Sequence, residues 1–238
     1  MRLDRYLSDM AIASRKESAA VARRGGVLVN GTVVKDASRH IDPEHDRVSY
    51  LGREIVYRRF TYVMLNKPEG YVSATEDRSL PCVLELLDDE LRHMELFPVG
   101  RLDRDTVGLM ILTNNCPLGH ELLSPRHHVQ KDYRFSCESA LCADAERLFS
   151  EGIVIDGGEH CKSAVLVADA DRMGGVITLT EGKYHQIKRM LCAIDNRITY
   201  LERIRFGGLT LDPALARGEY RLLTDDEIAL LEAHAKTH

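Results

Sequence analysis

The sequence lacks the features that would assign it to a membrane, secreted or disordered class of protein. It contains no stretch of about 18 apolar residues, which a membrane-spanning helix needs, so no membrane partner is expected. Its first residues include no apolar run typical of a signal peptide, and the absence of a targeting segment favours a cytoplasmic location. There is no internal repeat, and the 44% hydrophobic residues suffice for a sizeable core.

The six cysteines include no CxxC pair. In a cytoplasmic chain they are most simply reduced and partly buried small apolar residues. A zinc site would have to use Cys116, His120, His127 and His128, whose spacing matches no common zinc pattern. We therefore expect no metal site.

The charge is unevenly distributed along the chain. The net charge is −5, which alone argues against a nucleic-acid partner. Residues 1–41, however, contain eight Lys and Arg but only four Asp and Glu, a net of +4, so the remainder carries −9. A basic N-terminal segment on an acidic body suggests that one end of the chain binds an anionic partner.

The basic segment has clear local structure signals. Ser14 and Glu17 form a capping box, S-x-x-E, which predicts a helix that begins after Ser14 and ends at Gly25. Asn30 and Gly31 lie between two β-branched runs, which predicts a tight hairpin because both turn positions need a positive φ. A solvated helix face is the simplest explanation for the charge here.

The longer pattern in residues 2–7, 13–15 and 27–31 resembles the S4 RNA-binding domain, and the resemblance covers residues 1–48. It implies that several basic side chains contact RNA phosphates, which positions an RNA without reading its sequence. The residues implied are Arg2, Arg5, Arg15, Lys16 and Arg23.

The body mixes strand and helix signals without regular βαβ alternation, which predicts an α+β fold rather than a doubly wound parallel sheet. We place the domain boundary near 58–60, giving domains 1–58 and 59–238, with one strand in 48–60. Predicted strands are 62–65, 108–113, 133–137, 152–155, 162–168, 175–180, 198–204 and 218–222. Predicted helices are 83–91, 143–150, 184–194 and one that begins after Thr224.

Three polar segments, 66–71, 100–108 and 181–190, interrupt these elements. Taken singly, they are compatible with a turn, structural ion pairs and an ordinary amphipathic helix. In the third segment His185, Lys188 and Arg189 have the i, i+3, i+4 spacing that places side chains on one helix face. Asp103 in the second segment lies next to an arginine and precedes a buried strand, which is compatible with either an ion pair or a catalytic carboxylate.

In combination, N-K-P-x-G, G-R-L-D-x-D-T-x-G-L, K-x-Y and G-x-Y-H-Q-I-K-R-M, in this order after an S4 domain, resemble the RsuA family of pseudouridine synthases. The resemblance implies an S4-like α/β domain followed by a mixed, mostly antiparallel sheet with flanking helices. It also implies an enzyme that isomerises a uridine of 16S ribosomal RNA, at position 516 in the usual rRNA numbering. The partner would be 16S rRNA or an assembling small ribosomal subunit. The enzyme would work as a monomer and, since isomerisation is redox-neutral, without a cofactor.

The family motifs also imply roles for individual residues. Asp103 corresponds to the catalytic carboxylate, Lys188 to the cation that pairs with it, and Tyr133 to the aromatic residue that stacks on the uracil. Arg101 corresponds to the residue that fills the gap left by the flipped nucleotide, and Lys67 to a structural position. The further substrate-binding residues implied are Lys131, His185, Arg189 and Arg203, the last expected to support the site rather than to react.

Three alternatives remain open. A synthase for a large-subunit 23S rRNA uridine would share these motifs. A non-catalytic S4-type assembly factor would be expected to lack the Asp or the Lys, and both are present. A metal-dependent nuclease would need several clustered carboxylates to bind the ion, whereas only Asp103 and Asp105 lie close together in these segments. One departure from the family pattern, at Asn115 and Cys116, falls beyond a strand and is expected to change local loop shape only.

Overall fold

The computed structural model describes residues 1–10, 12–57, 59–124 and 126–236. The chain forms two compact units: the first comprises Met1–Thr61 and Leu87–Leu96, and the second comprises Tyr62–Leu86 and Phe97–His238. The boundary predicted near 58–60 falls in part on Arg58, which lies outside the described residues, and it stays a prediction.

The first unit contains helices α1 (Leu3–Asp9), α2 (Arg15–Arg23) and α3 (Asp89–Arg92) and an antiparallel sheet in the order β2-β1-β3-β4. Its strands are β1 (Val27–Val29), β2 (Thr32–Val33), β3 (Val48–Tyr50) and β4 (Arg53–Ile55). The capping box before α2 is confirmed, since the Glu17 amide donates to Ser14 Oγ and the Ser14 amide donates to the Glu17 carboxylate. The Asn30-Gly31 hairpin is also confirmed, with φ of 53° and 76°.

The core of the first unit is built from α1 and the sheet. Leu3, Tyr6 and Leu7 recur at helical spacing and are buried against the strands, and the Tyr6 hydroxyl donates to the Ile55 carbonyl at 2.6 Å. The prediction of one strand in 48–60 is wrong. Leu51 adopts a positive φ beside a glycine, and this turn divides the segment into β3 and β4.

The second unit is organised around a sheet in the order β11-β12-β8-β13-β7-β5-β15, with β14 paired to β13 and β6 to β7. Neighbouring strands are antiparallel except β13 and β7, which are parallel, so the mixed and mostly antiparallel α+β architecture is confirmed. The strands are β5 (Tyr62–Lys67), β6 (Phe97–Pro98), β7 (Val107–Thr113), β8 (Lys131–Cys137), β9 (Val154–Ile155), β10 (Glu159–His160), β11 (Val165–Ala168), β12 (Gly174–Leu179), β13 (Ile198–Phe206), β14 (Leu209–Thr210) and β15 (Tyr220–Leu222). Strands β9 and β10 form a separate ribbon.

Helices α4 (Cys116–Leu123), α5 (Ala145–Glu151), α6 (Gln186–Cys192) and α7 (Asp225–Lys236) accompany this sheet. Phe135, Phe149 and Met190 are buried in one cluster that joins α5, α6 and the sheet. Every residue of β5 and β7 is buried, as expected for central strands. Among the described residues, no helix has the length and apolarity needed to cross a bilayer.

Three elements differ from the helix predictions, the first being α1, which was not predicted. The segment 83–91 is not one helix: a 3-10 turn at Val83–Leu86 precedes α3, and the Asp88 side chain caps α3 by accepting from the Leu91 amide. Helix α4 was not predicted. It begins at the departure from the family pattern, where the Asn115 side chain accepts from the Leu118 amide and donates to the Tyr62 hydroxyl at 2.8 Å.

Candidate active site

The loop that carries Asp103, residues 99–106, joins β6 to β7 and is held by a buried lysine. Lys67, at the end of β5, is fully buried. Its ammonium donates to the backbone carbonyls of Asp103 at 3.1 Å, Arg104 at 3.2 Å and Thr106 at 2.8 Å. Burial lowers the pKa of Lys67 to about 8, although Asp105 and Asp103 oppose that shift. The structural position implied by the first motif is thus a clamp on the Asp103 loop.

Two further contacts fix the same loop. Ser73 Oγ donates to the Leu102 carbonyl at 2.8 Å and accepts from the Leu102 amide at 2.9 Å. Gly108, the second residue of β7, has φ of 99°, and a Cβ there would lie 2.3 Å from the Arg203 carbonyl oxygen. Only glycine therefore lets β7 lie against β13 where the loop ends. Sequence reasoning missed Ser73, which lies in no recognisable motif.

The Asp103 carboxylate faces two cationic or titratable side chains. Lys188 Nζ lies 3.0 Å from Asp103 Oδ2, and His185 Nε2 lies 3.5 Å from Asp103 Oδ1. The Asp103 side chain is 28% exposed, so it is shielded but open to a ligand. The structure thus brings together Asp103 and Lys188, residues 85 positions apart in a chain of 238, as the resemblance implies.

Lys188 also forms an ion pair with a second carboxylate, that of Asp105. Its ammonium lies 2.6 Å from Asp105 Oδ1. Burial lowers the pKa of Lys188, but hydrogen bonds to Asp105 and Asp103 outweigh that effect and raise it above its ordinary value. For Asp105, the hydrogen bond and the charge of Lys188 outweigh burial and hold the pKa below its usual range. One ammonium therefore contacts two neighbouring carboxylates.

The third polar segment differs from the prediction of one shared helix face. Helix α6 begins at Gln186, and His185 precedes it with left-handed backbone angles, φ 49° and ψ 34°. His185 and Lys188 converge on Asp103, but Arg189 is turned away to ion pairs with Asp156 and Glu159 of the β9–β10 region. The expected contact between Arg189 and RNA stays a prediction, and in this conformation its guanidinium is paired with two carboxylates.

Tyr133 and Arg203 face each other across β8 and β13. Arg203 is 1% exposed, and its Nε donates to the Leu109 carbonyl at 2.7 Å. Burial lowers the pKa of Arg203, and its interaction with Tyr133, including a hydrogen bond, opposes that shift. Direct RNA contact by Arg203 is excluded in this conformation because the guanidinium is inside the protein, whereas its expected supporting role fits.

Lys131 lies on the same strand as Tyr133. Its ammonium donates to the Val129 carbonyl at 3.0 Å and stands 5.7 Å from the centre of the Phe206 ring. Burial, and then the charge of Arg203, lower the pKa of Lys131 to about 8. Arg101, in contrast, is exposed and has no hydrogen bond or ion pair to the described part of the chain.

The basic residues of the first unit lie on its surface. Arg15, Lys16 and Arg23 are exposed on α2. Arg2 and Arg5 are exposed too, but each pairs with a carboxylate of α1: Arg2 with Asp4 at 2.6 Å and Arg5 with Asp9 at 3.4 Å. In the described ranges, no group of three or more His, Cys, Asp or Glu side chains is arranged to hold a metal ion.

Comparison with known families agrees with this geometry. The RNA pseudouridylate synthase family matches residues 61–193, and the S4 domain family matches residues 1–48. The chain belongs to the RNA pseudouridylate synthase family. The Asp103 loop and Lys188 both lie within the matched segment of this pseudouridine synthase. The enzyme class expected from the motifs is thereby confirmed, against a non-catalytic assembly factor.

Relatives of this pseudouridine synthase cover nearly its whole length. An uncharacterized RNA pseudouridine synthase, YtzG, of Bacillus subtilis is 43% identical over 97% of the chain and 98% of its own length. The ribosomal small subunit pseudouridine synthase A of Escherichia coli is 38% identical over 96% of the chain and 99% of its own length. A crystal structure of a pseudouridylate synthase superimposes with a TM-score of 0.69 at 34% identity, covering 97% of the chain and 99% of that structure. The resemblance to the RsuA family is confirmed.

Proposed function

We propose that this pseudouridine synthase isomerises one uridine of 16S ribosomal RNA, position 516, either in free rRNA or in an assembling small subunit. The observation that carries the proposal is the Asp103–Lys188 pair at 3.0 Å on a loop that is anchored from behind. The small-subunit target is supported by the Escherichia coli relative at 38% identity. The proposal includes action as a monomer in the cytoplasm.

The reaction rearranges bonds within one nucleotide. The N1–C1′ glycosidic bond breaks, the uracil turns, a C5–C1′ bond forms, and the proton of C5 is replaced by one on N1. Atoms and electrons balance without an oxidant, a reductant or an energy source. The protein must therefore supply a carboxylate positioned at the reacting nucleotide and a site that retains the detached base.

Asp103 is the proposed carboxylate. Attack on the ribose, attack on the base and removal of the C2′ proton all require it to be ionised. The Lys188 ammonium lies 3.0 Å from Asp103 Oδ2, so a positive charge faces the proposed carboxylate. The carbonyl contacts of Lys67 hold the backbone of Asp103 itself, so the carboxylate presented to the ribose has little freedom to move away.

The proposal assigns roles to the remaining side chains as well. Tyr133 stacks on the uracil, and Arg203 orients its hydroxyl from within the protein. Arg101, exposed on the Asp103 loop, enters the gap left when the target nucleotide flips out. Lys131 and His185 bind the substrate near the carboxylate. RNA phosphates are held by Arg2, Arg5, Arg15, Lys16 and Arg23 of the first unit.

The decisive experiment compares the wild type with Asp103→Asn, a nearly isosteric change that removes the charge. Each protein is given 16S and 23S rRNA, and pseudouridine is mapped position by position. We expect wild-type modification at one 16S uridine and none by Asp103→Asn, whereas Asp226→Asn, an exposed control on α7, retains full activity. Modification by Asp103→Asn would refute the assigned carboxylate, and modification of 23S rRNA alone would move the target to the large subunit.

A further inference from the structure

An exposed aromatic pair stands beside the candidate active site. Tyr184 is 76% exposed. Its ring is stacked on the imidazole of His185, with 3.8 Å between ring centres and 19° between planes. One face of the tyrosine ring is thus supported by a second ring, while much of its remaining surface is open to solvent.

The backbone that carries this pair is tightly held. His185, directly before α6, has a left-handed φ of 49°. The Arg189 guanidinium donates to the Tyr184 carbonyl at 3.2 Å, and the Lys183 amide donates to Gln186 Oε1 at 2.9 Å. An exposed side chain on a constrained backbone loses little further freedom when it binds a ligand.

The position of the pair relates it to the reacting carboxylate. His185 Nε2 is 3.5 Å from Asp103 Oδ1, and Tyr184 is the next ring outward from that imidazole. The Lys183 ammonium, 2.7 Å from Glu159, belongs to the network that holds this segment. The negative face of an exposed aromatic ring offers little to an anion such as a phosphate but matches the flat π surface of a nucleobase.

We propose that the Tyr184–His185 pair is a stacking platform for a nucleobase next to the target uridine in single-stranded RNA. The inference rests on the proposed function, since it takes the uridine at Asp103 to be the target. Tyr184 is a binding residue here and takes no part in bond breaking. Tyr184 was not identified from the sequence, because roles in the G-x-Y-H-Q motif were assigned to its charged or titratable neighbours.

Kinetics with the full-length chain and the rRNA that it modifies give the first test. Tyr184→Ala is expected to raise KM about tenfold or more while changing kcat less than about twofold, because stacking on an aromatic ring contributes to binding. Tyr184→Phe, which keeps the ring, is expected to match the wild type. Tyr184→Leu, which keeps apolar bulk without a π face, is expected to behave like Tyr184→Ala. An unchanged KM for Tyr184→Ala, or full function of Tyr184→Leu, would overturn the platform.

A binding experiment locates the stacked base and does not depend on turnover. Short single-stranded RNAs carry 2-aminopurine on either side of a central uridine, and its fluorescence falls when it stacks on a ring. The wild type and Tyr184→Phe are expected to quench the probe at one of the two positions, and Tyr184→Ala is not. An abasic nucleotide at that position should weaken wild-type binding about tenfold and leave Tyr184→Ala unaffected.

The two experiments separate the two proposals. Quenching that depends on Tyr184, from a protein that modifies neither rRNA, would refute the proposed target and retain the platform. Modification of rRNA with equal quenching by wild type and Tyr184→Ala would retain the function and refute the platform. Thermal unfolding of each variant verifies the fold, which a change at so exposed a side chain is expected to leave intact.

Discussion

The two sides of the Asp103 loop are held by different chemistry. Behind the loop, the buried Lys67 ammonium and the Ser73 hydroxyl meet uncharged backbone groups. In front of it, Lys188 and His185 face the Asp103 carboxylate, which is partly exposed. The rear contacts fix where the carboxylate stands, and the front contacts determine how its charge is balanced.

This difference separates stability from catalysis. A buried donor is expensive to remove, because the buried carbonyls that it contacts are left without a partner. A partly exposed ion pair contributes little to folding because water screens it, yet it can still control a protonation state. Replacement of Lys67, behind the loop, should therefore mainly lower stability. Replacement of Lys188, in front of the loop, should mainly lower the reaction rate.

The largest effect on folding is expected from Lys67→Met. It should lower the unfolding free energy of the second unit by about 2–3 kcal/mol, because the buried Thr106 carbonyl and the partly buried Arg104 carbonyl lose their donor. Urea denaturation measures the change, with Lys162→Met at an exposed position as the control. A loss below about 1 kcal/mol would show that the carbonyl contacts do not hold the loop.

Lys188→Gln is expected to act on the reaction. The kcat for pseudouridine formation should fall roughly a hundredfold, as for removal of one preorganised donor from a reacting charge. The unfolding free energy should change by no more than about 1 kcal/mol, since the lysine is partly exposed. Lys188→Arg, which keeps the charge, should recover part of the rate. A stability loss as large as that of Lys67→Met would erase the distinction between the two sides.

The pH dependence of stability sharpens the contrast. The pKa of Lys67 is lowered to about 8 in the folded chain from an ordinary value of 10.5. Between these values the unfolded chain keeps a proton that the folded chain has lost, so the contribution of Lys67 to stability rises with pH. Urea denaturation of wild type and Lys67→Met from about pH 7 to 11 isolates this group, and the wild type should gain relative to the variant across that window. A loss of wild-type stability relative to the variant as the pH rises would contradict the burial of the Lys67 ammonium.

The smallest effect concerns the salt dependence of RNA binding. Affinity for rRNA should fall as salt rises, because bound phosphates release counterions. Arg15→Gln and Lys16→Gln, on the first unit, should each reduce the slope of log affinity against log salt by about one. Lys67→Met should leave the slope unchanged because its charge is inside the protein. Binding that is indifferent to salt would exclude phosphate contacts by the basic surface.

Elements with local causes could be predicted from the sequence. The Ser14 capping box, the Asn30-Gly31 hairpin and the buried runs of β5 and β7 each depend on residues that are close in the chain. Helix α1 was not predicted because its apolar positions are few and lie among charges. Helix α4 was missed because its cap, Asn115, was assigned to a loop.

The site could be predicted only where the family motifs identify it. They indicate Asp103 and Lys188, and the fold brings the two together. They could not show that Arg189 turns to the β9–β10 ribbon, since that depends on where Asp156 lies in the folded chain. The left-handed backbone of His185 was not predicted, because the position holds neither glycine nor asparagine, the residues typical of a positive φ.

The charge of Arg203 affects the pKa values of residues to which its guanidinium donates no hydrogen bond. From inside the sheet it lowers the pKa values of both Lys67 and Lys131, which belong to different strands. A guanidinium does not release its proton under physiological conditions, so this influence is constant. Burial is the larger cause of both shifts, and neutralising Arg203 would remove a further contribution that lowers the pKa of Lys67 and of Lys131 together.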